Sequence, residues 1–214
     1  MRTLFIVSAL LVSVMPIAAP AQSMANVVRV DGTVVSATAT SIVVATASGS
    51  KTVALAPKMR FFGLTNSSLD KVTQGSFIGT TVAPQPDGTF KSVEVHIFAP
   101  SLRGTGEGFT KMGGPGKHMM ANSTVKTVSH SANMMANSTV RTVGPSNGGK
   151  TISMVFPSGT KSITIPANTK VTYIEPGTKA MLAPGAHVLL LTTSTKAGLV
   201  ANTIVVGEHG ATPM

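Results

Sequence analysis

An all-β fold is what this chain predicts, on three observations. First, from Val27 onward it is written in short runs of β-branched and apolar residues, such as Ile42-Val43-Val44 and Thr52-Val53-Ala54-Leu55. Turn residues such as Asp31-Gly32 and Ser48-Gly49-Ser50 punctuate these runs, the pattern of strands and tight connections. Second, a single short helical turn is indicated, at Asn66 to Val72, with Ser67 or Ser68 as its cap and Gln74-Gly75 as its stop. Third, the pattern occurs twice: Ser48 to Leu55 matches Ser158 to Ile165 at an offset of 110 residues.

Taken in order, strands at Val28 to Val35, Ile42 to Val44 and Thr52 to Leu55 precede the helical turn. Two more follow near Ser76 to Val82 and Phe90 to Phe98, joined by Pro84-Gln85-Pro86-Asp87-Gly88. Three strands, a turn and two strands is the succession of a small five-stranded OB-like barrel, with a sandwich as the alternative closure. At the same offset of 110, Ile42 falls on Ile152, Val72 on Leu182 and Gly75 on Gly185; Val95 falls on Ile204 at 109 and Thr33-Val34 on Thr139-Val140 at 106. So long a repeat means two copies of one supersecondary unit. The expected architecture is two tandem OB-like barrels joined by a Gly-rich linker. The first domain is placed at residues 27–100, the linker at 101–137, the second domain at 138–206 and a tail at 207–214. Within the linker, Met-Met-Ala-Asn-Ser-Thr-Val occurs at Met119 to Val125 and again at Met134 to Val140, each copy followed by a basic residue, Thr and Val. The repeat assigns Ser138 to Val143 as the first strand of the second domain and makes Ser123 to Val128 a surplus copy.

Residues 1–21 have the layout of a secretory signal peptide: one charge at Arg2, an apolar run from Leu4 to Val14, and Ala19-Pro20-Ala21 ahead of Gln22. The run is shorter than the roughly 20 residues a membrane-spanning helix requires. Cleavage after Ala21 gives a periplasmic or secreted protein with no transmembrane segment. With no cysteine in the chain, a disulfide scaffold, thiol redox chemistry and thiolate-ligated zinc are excluded. The formal net charge of +10 favours attraction to anionic envelope polymers or lipid head groups. Nucleic acid is a poor partner, because there is no Trp, a single Tyr and no interleaving of Phe with basic residues.

Four features together carry a resemblance: the Arg-Gly-Thr-Gly-Glu-Gly run at Arg103 to Gly108, the Met-x-Asn-x-Thr-Val unit at Met120 to Val125 and at Met135 to Val140, Pro184-Gly185, and the ending Pro213-Met214. On these the chain resembles a group of small exported bacterial proteins of unknown function built from two OB-like domains. The resemblance covers nearly the whole mature chain. It departs at Phe109 to Met112, where relatives commonly carry an aromatic, Pro-containing segment, and in the doubling of the Met-Asn unit. Metal-transporter permease labels borne by some relatives do not fit a chain without a spanning segment.

The chemistry the sequence offers is sparse. Neither a Gly-x-Ser-x-Gly elbow nor His-Glu-x-x-His is present, so no hydrolase is indicated and the chain is read as no enzyme. Gly113-Gly114-Pro115-Gly116-Lys117 departs from a phosphate loop, having Lys111 for the first Gly and His118 for the final Ser or Thr. Glu94 and His96, two apart on a strand, share a face, with Val93, Val95 and Ile97 on the other. A carboxylate there could orient the imidazole, although a solvated face explains the alternation equally well. The sharpest candidate is a soft-metal site at Met112, His118, Met119, Met120, His130, Met134 and Met135, since thioether sulfur suits Cu(I) and imidazole suits copper or zinc. Met also serves as apolar filler, and neighbours on a strand face opposite ways. The resulting expectation is a non-catalytic binding or structural module of the bacterial envelope, partnered by an envelope protein or anionic polymer. Periplasmic copper binding is the alternative.

Overall fold

A computed structural model describes residues 27–111, 118–130, 149–156 and 158–213. The signal-peptide segment, Ser138 to Val143, Met112, Met134 and Met135 lie outside the described residues. The fold is all-β. Its strands are β1 (Val27–Ala37), β2 (Ser41–Thr46), β3 (Gly49–Asn66), β4 (Phe77–Pro84), β5 (Phe90–Phe98), β6 (Gly108–Lys111), β7 (Met119–His130), β8 (Lys150–Phe156), β9 (Gly159–Ile165), β10 (Lys170–Pro176), β11 (His187–Thr195) and β12 (Gly198–Gly207). The expected helical turn is a single 3-10 turn at Leu69–Lys71, preceded by Ser68, whose side chain makes no capping hydrogen bond; Gly75 follows at φ +84°, where a side chain would be strained. Further 3-10 turns lie at Pro100–Leu102 and, at the corresponding place in the other half, at Lys179–Met181.

One five-stranded barrel closes completely. Strand β1 pairs with β2, β2 with β3, β3 with β12 in parallel, β12 with β11, and β11 with β1. Its interior is aliphatic: Val34, Ile42, Val44, Val53, Leu190 and Ile204 are each 2% exposed or less. These positions alternate along strands, as a surface buried on one side requires. Leu182, just after the turn at Lys179–Met181, packs into this core.

The remaining strands assemble around a second core containing Ile78, Val95, Ala121, Ile152, Met154 and Ile163. Strand β4 lies between β5 and β7, β7 pairs with β8, β8 with β9, and β5 meets β9 through Phe90↔Ile163 and Lys91↔Thr164. Strand β10 joins the groups, pairing with β3 on one side and with β5 on the other.

These ladders do not run within consecutive halves, as the tandem expectation and the domain bounds 27–100 and 138–206 supposed. The closed barrel takes β1–β3 from the first half and β11–β12 from the second; β4 and β5 go to the other core. The sequence repeat left this open, since β11–β12 is the counterpart of β4–β5. The hydrogen bonds match: Val34 O accepts from Gly185 N and Val34 N donates to Ala186 O, while Val125 O accepts from Gly75 N and Val125 N donates to Ser76 O. Stretch 101–137, expected as a linker, contributes β6 and β7 to the sheet. Its inward positions Met119, Ala121, Ser123 and Val125 do alternate, but Ala and Ser make the period too faint to mark a strand.

Candidate functional site

The Glu94–His96 pair sits where the ladder is irregular. Thr81 pairs with Glu94 and Val82 with Ser92, so Val93 is an extra residue on β5. Such a bulge re-aims the side chains beside it. Val95 and Ile97 face the core as expected, whereas Val93 is 50% exposed, because the bulge breaks the alternation at that residue. The Glu94 carbonyl accepts from the Thr80 hydroxyl at 2.7 Å and from the Ser92 hydroxyl at 3.1 Å.

Glu94 itself is buried, at 8% exposure. Its Oε1 accepts from the Thr81 hydroxyl at 2.9 Å and lies 3.6 Å from His96 Nε2; Oε2 is buried without a hydrogen-bond partner. Burial pushes the carboxyl's pKa up. The contact with His96, the charge of an imidazolium there, the Thr81 hydroxyl and the charge of Arg29 outweigh that, and hold it below its ordinary value. On the far side of the ring, His96 Nδ1 lies 2.6 Å from Thr172 Oγ1, and that hydroxyl points to the Val95 carbonyl at 3.5 Å. Nδ1 is thus turned to the Thr172 hydroxyl and Nε2 to the carboxylate. The ring is fixed in orientation between the carboxylate and the Thr172 hydroxyl. The pair could offer an ion one nitrogen and one carboxylate oxygen, but among the described residues no cluster of three His, Asp or Glu side chains is available to complete a metal site.

Across β4 the same outward face continues onto β7. Met120 stands opposite Thr81, and Asn122 opposite Gly79. A Cβ at Gly79 would come within 2.5 Å of Asn122 Oδ1 and 3.0 Å of the Phe98 ring, so the position has no room for a side chain. Asn122, Ser123 and Thr124 hold the Gly-rich run in place. Asn122 Nδ2 donates to Gly106 O at 3.1 Å, the Ser123 hydroxyl is within reach of Glu107 Oε1 at 3.2 Å and of the Val155 carbonyl, and Arg103 donates to Thr124 Oγ1 at 2.9 Å and Gly75 O at 2.7 Å. Two segments that suggested the resemblance thus clasp one another. Comparison with protein-family models, curated proteins and solved structures finds no match to this chain.

Four of the seven predicted metal-ligating residues lie among the described ones. His118 is exposed, Met119 packs against the second core, and Met120 lies partly buried on the outward face. His130 ends the strand that Met119 begins, about 36 Å along it at the ordinary rise per residue. Met112, Met134 and Met135 are outside the described residues.

The sequence reading missed the buried Lys150, 4% exposed, whose amine donates to Leu69 O at 2.9 Å and Val72 O at 3.3 Å. Nothing local marked it, because both acceptors lie some eighty residues earlier. Asn122-Ser123-Thr124 had a signal in its repetition, though not one that named its partners.

Proposed function

We propose that this chain is an exported, non-catalytic binding module of the bacterial envelope, built from two OB-like barrels, whose ligand is an anionic polymer. The observation that carries the reading is the charge of β3. Along that strand Lys51, Lys58 and Arg60 are exposed, and it has no acidic residue. Among the described residues the only contact within 4 Å between a carboxylate and a basic side chain is His96 with Glu94, so these cations are not neutralised by carboxylates of the chain. Polyanion binding would release counterions and weaken as salt rises. Support for the second barrel comes from the repeat and from the matching hydrogen bonds of Val34 and Val125.

The test is retention on an immobilised anionic polysaccharide across a salt gradient. The variant Lys51→Gln/Lys58→Gln/Arg60→Gln should elute at clearly lower salt, with the salt slope reduced by about one per lost contact. Equal elution of the two proteins would overturn the reading.

Copper binding is the second reading. The observation in its favour is that Met120 shares the outward face with His96 and Glu94. Titration with Cu(I) against a competing chelator, beside a variant with Met119, Met120, Met134 and Met135 changed to Leu, tests it. Equal affinity in both proteins would sink it.

A further inference from the structure

We infer that the cationic surface of β3 has a second copy on β5, β9 and β10, so that one chain binds anionic polysaccharide at two sites. This rests on the polyanion reading above and extends it from one site to two. The basis is a two-fold relation among the ladders. The repeat that sets Ser48 to Leu55 on Ser158 to Ile165 also sets pairings of one half on those of the other. Where β3 meets β12, Ala54 pairs with Val200, Arg60 with Thr203 and Leu64 with Gly207. The counterparts are Thr164 with Lys91, Lys170 with Glu94 and Ile174 with Phe98, where β9 and β10 meet β5. The ladder between β3 and β10 is its own counterpart: Asn66↔Thr172 becomes Phe62↔Pro176, and Leu64↔Ile174 returns to itself. Such reciprocity is what a two-fold axis imposes on a contact. The backbone that carries the β3 cations is thus built twice, on either side of Leu64 and Ile174.

The charges follow the backbone. Lys161 stands where Lys51 does, and Lys170 where Arg60 does. Asn168 takes the place of Lys58, but exposed Lys91, beside Thr164, adds a cation where the other half has Val200. Among the described residues no carboxylate comes within 4 Å of any of the three. Lys161 Nζ lies over the Phe109 ring, 5.8 Å from its centroid. Lys170 Nζ donates to the Thr212 carbonyl at 2.7 Å and keeps two donors. Glu94, its neighbour in register, is turned to His96. A second observation supplies room for a ligand. A cleft of about 380 Å³ opens at Lys91, its lining including Gln85, Thr89, Phe90 and Thr164. Asp87, also in that lining, is folded back on its own loop, where Oδ1 accepts from the Thr89 N–H at 2.9 Å and the Thr89 hydroxyl at 2.7 Å. A cleft of this size with hydrogen-bonding side chains and a free ammonium fits one charged sugar unit.

The test is calorimetric titration of the full chain at low salt with a heparin hexasaccharide as the polyanion. Two equivalents should bind the parent. Lys91→Gln/Lys161→Gln/Lys170→Gln should bind one, and so should Lys51→Gln/Lys58→Gln/Arg60→Gln. A single equivalent in the parent, unaffected by the changes at Lys91, Lys161 and Lys170, overturns the inference and leaves the β3 site standing. No binding by the parent overturns the polyanion reading together with it. Lys91→Gln alone guards against misfolding of the triple variant, because that side chain is exposed. On an immobilised anionic polysaccharide it should elute at lower salt, with the salt slope reduced by about one. An unchanged slope overturns the second site.

Discussion

The two cores of this molecule are both apolar inside, but the strands around them differ in the polar groups they bury. The closed barrel is filled by Val, Ile and Leu, and the buried polar side chains on its strands are the hydroxyls of Thr192 and Thr203, the first bonded to Val28 O at 2.8 Å. The elements around the second core carry Ser92, Glu94, Asn122, Ser123 and Lys150 as buried polar or charged groups. An aliphatic interior tolerates no ambiguity about which face points inward, but it has no chemistry. Buried polar groups are held by directional contacts that each have a specific partner, and losing one partner strands the other. The first core is therefore the frame that holds the cationic strand β3, and the strands around the second carry the polar groups that a single substitution can strand.

The sharpest way to break the contrast is to open the frame. Leu190→Ala removes a side chain with no exposure from the centre of the closed barrel. Equilibrium urea unfolding should show a loss of about 2–5 kcal/mol, the range for large-to-small substitutions in well-packed cores. A loss near zero would mean that the barrel closes without the packing it displays.

A smaller effect is expected from Lys150→Met, which keeps the aliphatic stem and removes the amine. The carbonyls of Leu69 and Val72 then lose a charged donor in a buried place. The cost should be about 1–3 kcal/mol, read from the same unfolding curve. If the variant is as stable as the parent, burying the amine is itself as costly as its hydrogen bonds are favourable, a balance known for buried charges.

The difference between the cores also explains how much could be read from sequence. Runs such as Ile42-Val43-Val44 announce strands because β-branched side chains fit a pleated, half-buried surface. Strands β1 to β5 and the turn at Leu69–Lys71 were legible in this way. Which copy of a repeated strand pairs with which partner was not, because β4–β5 and β11–β12 present the same pattern to both cores. β7 was hidden for another reason. Its inward face includes Ala121 and Ser123, and its outward face Asn122 and Thr124, so hydrophobicity barely alternates. At the site, the shared face of Glu94 and His96 followed from strand periodicity. Thr172, which orients the ring from 76 positions away, could be found only from the fold.

The finest expected effect separates the cores by pH. In the folded chain the Glu94 carboxyl has a pKa below its ordinary value, so its contribution to stability is fully present above that value and is lost as pH falls through the lower, folded one. Replacing it as Glu94→Gln should leave stability near neutrality within about 1 kcal/mol, because the group is only one of several polar contacts and part of its pairing is screened. The acid limb is where the difference lies: the parent should lose stability more steeply than Glu94→Gln as pH drops below 4.5. His96→Gln should act in the opposite sense. Removing the imidazole leaves burial pushing the carboxyl up, opposed only by Thr81 and Arg29, and the acid limb should begin at higher pH. Thermal melts of the three proteins from neutral to acid pH check both signs. Parallel curves would show that the carboxylate is not held by these partners, and the polar contacts around the second core would then rest on Lys150 and the clasp of Asn122, Ser123 and Thr124 alone.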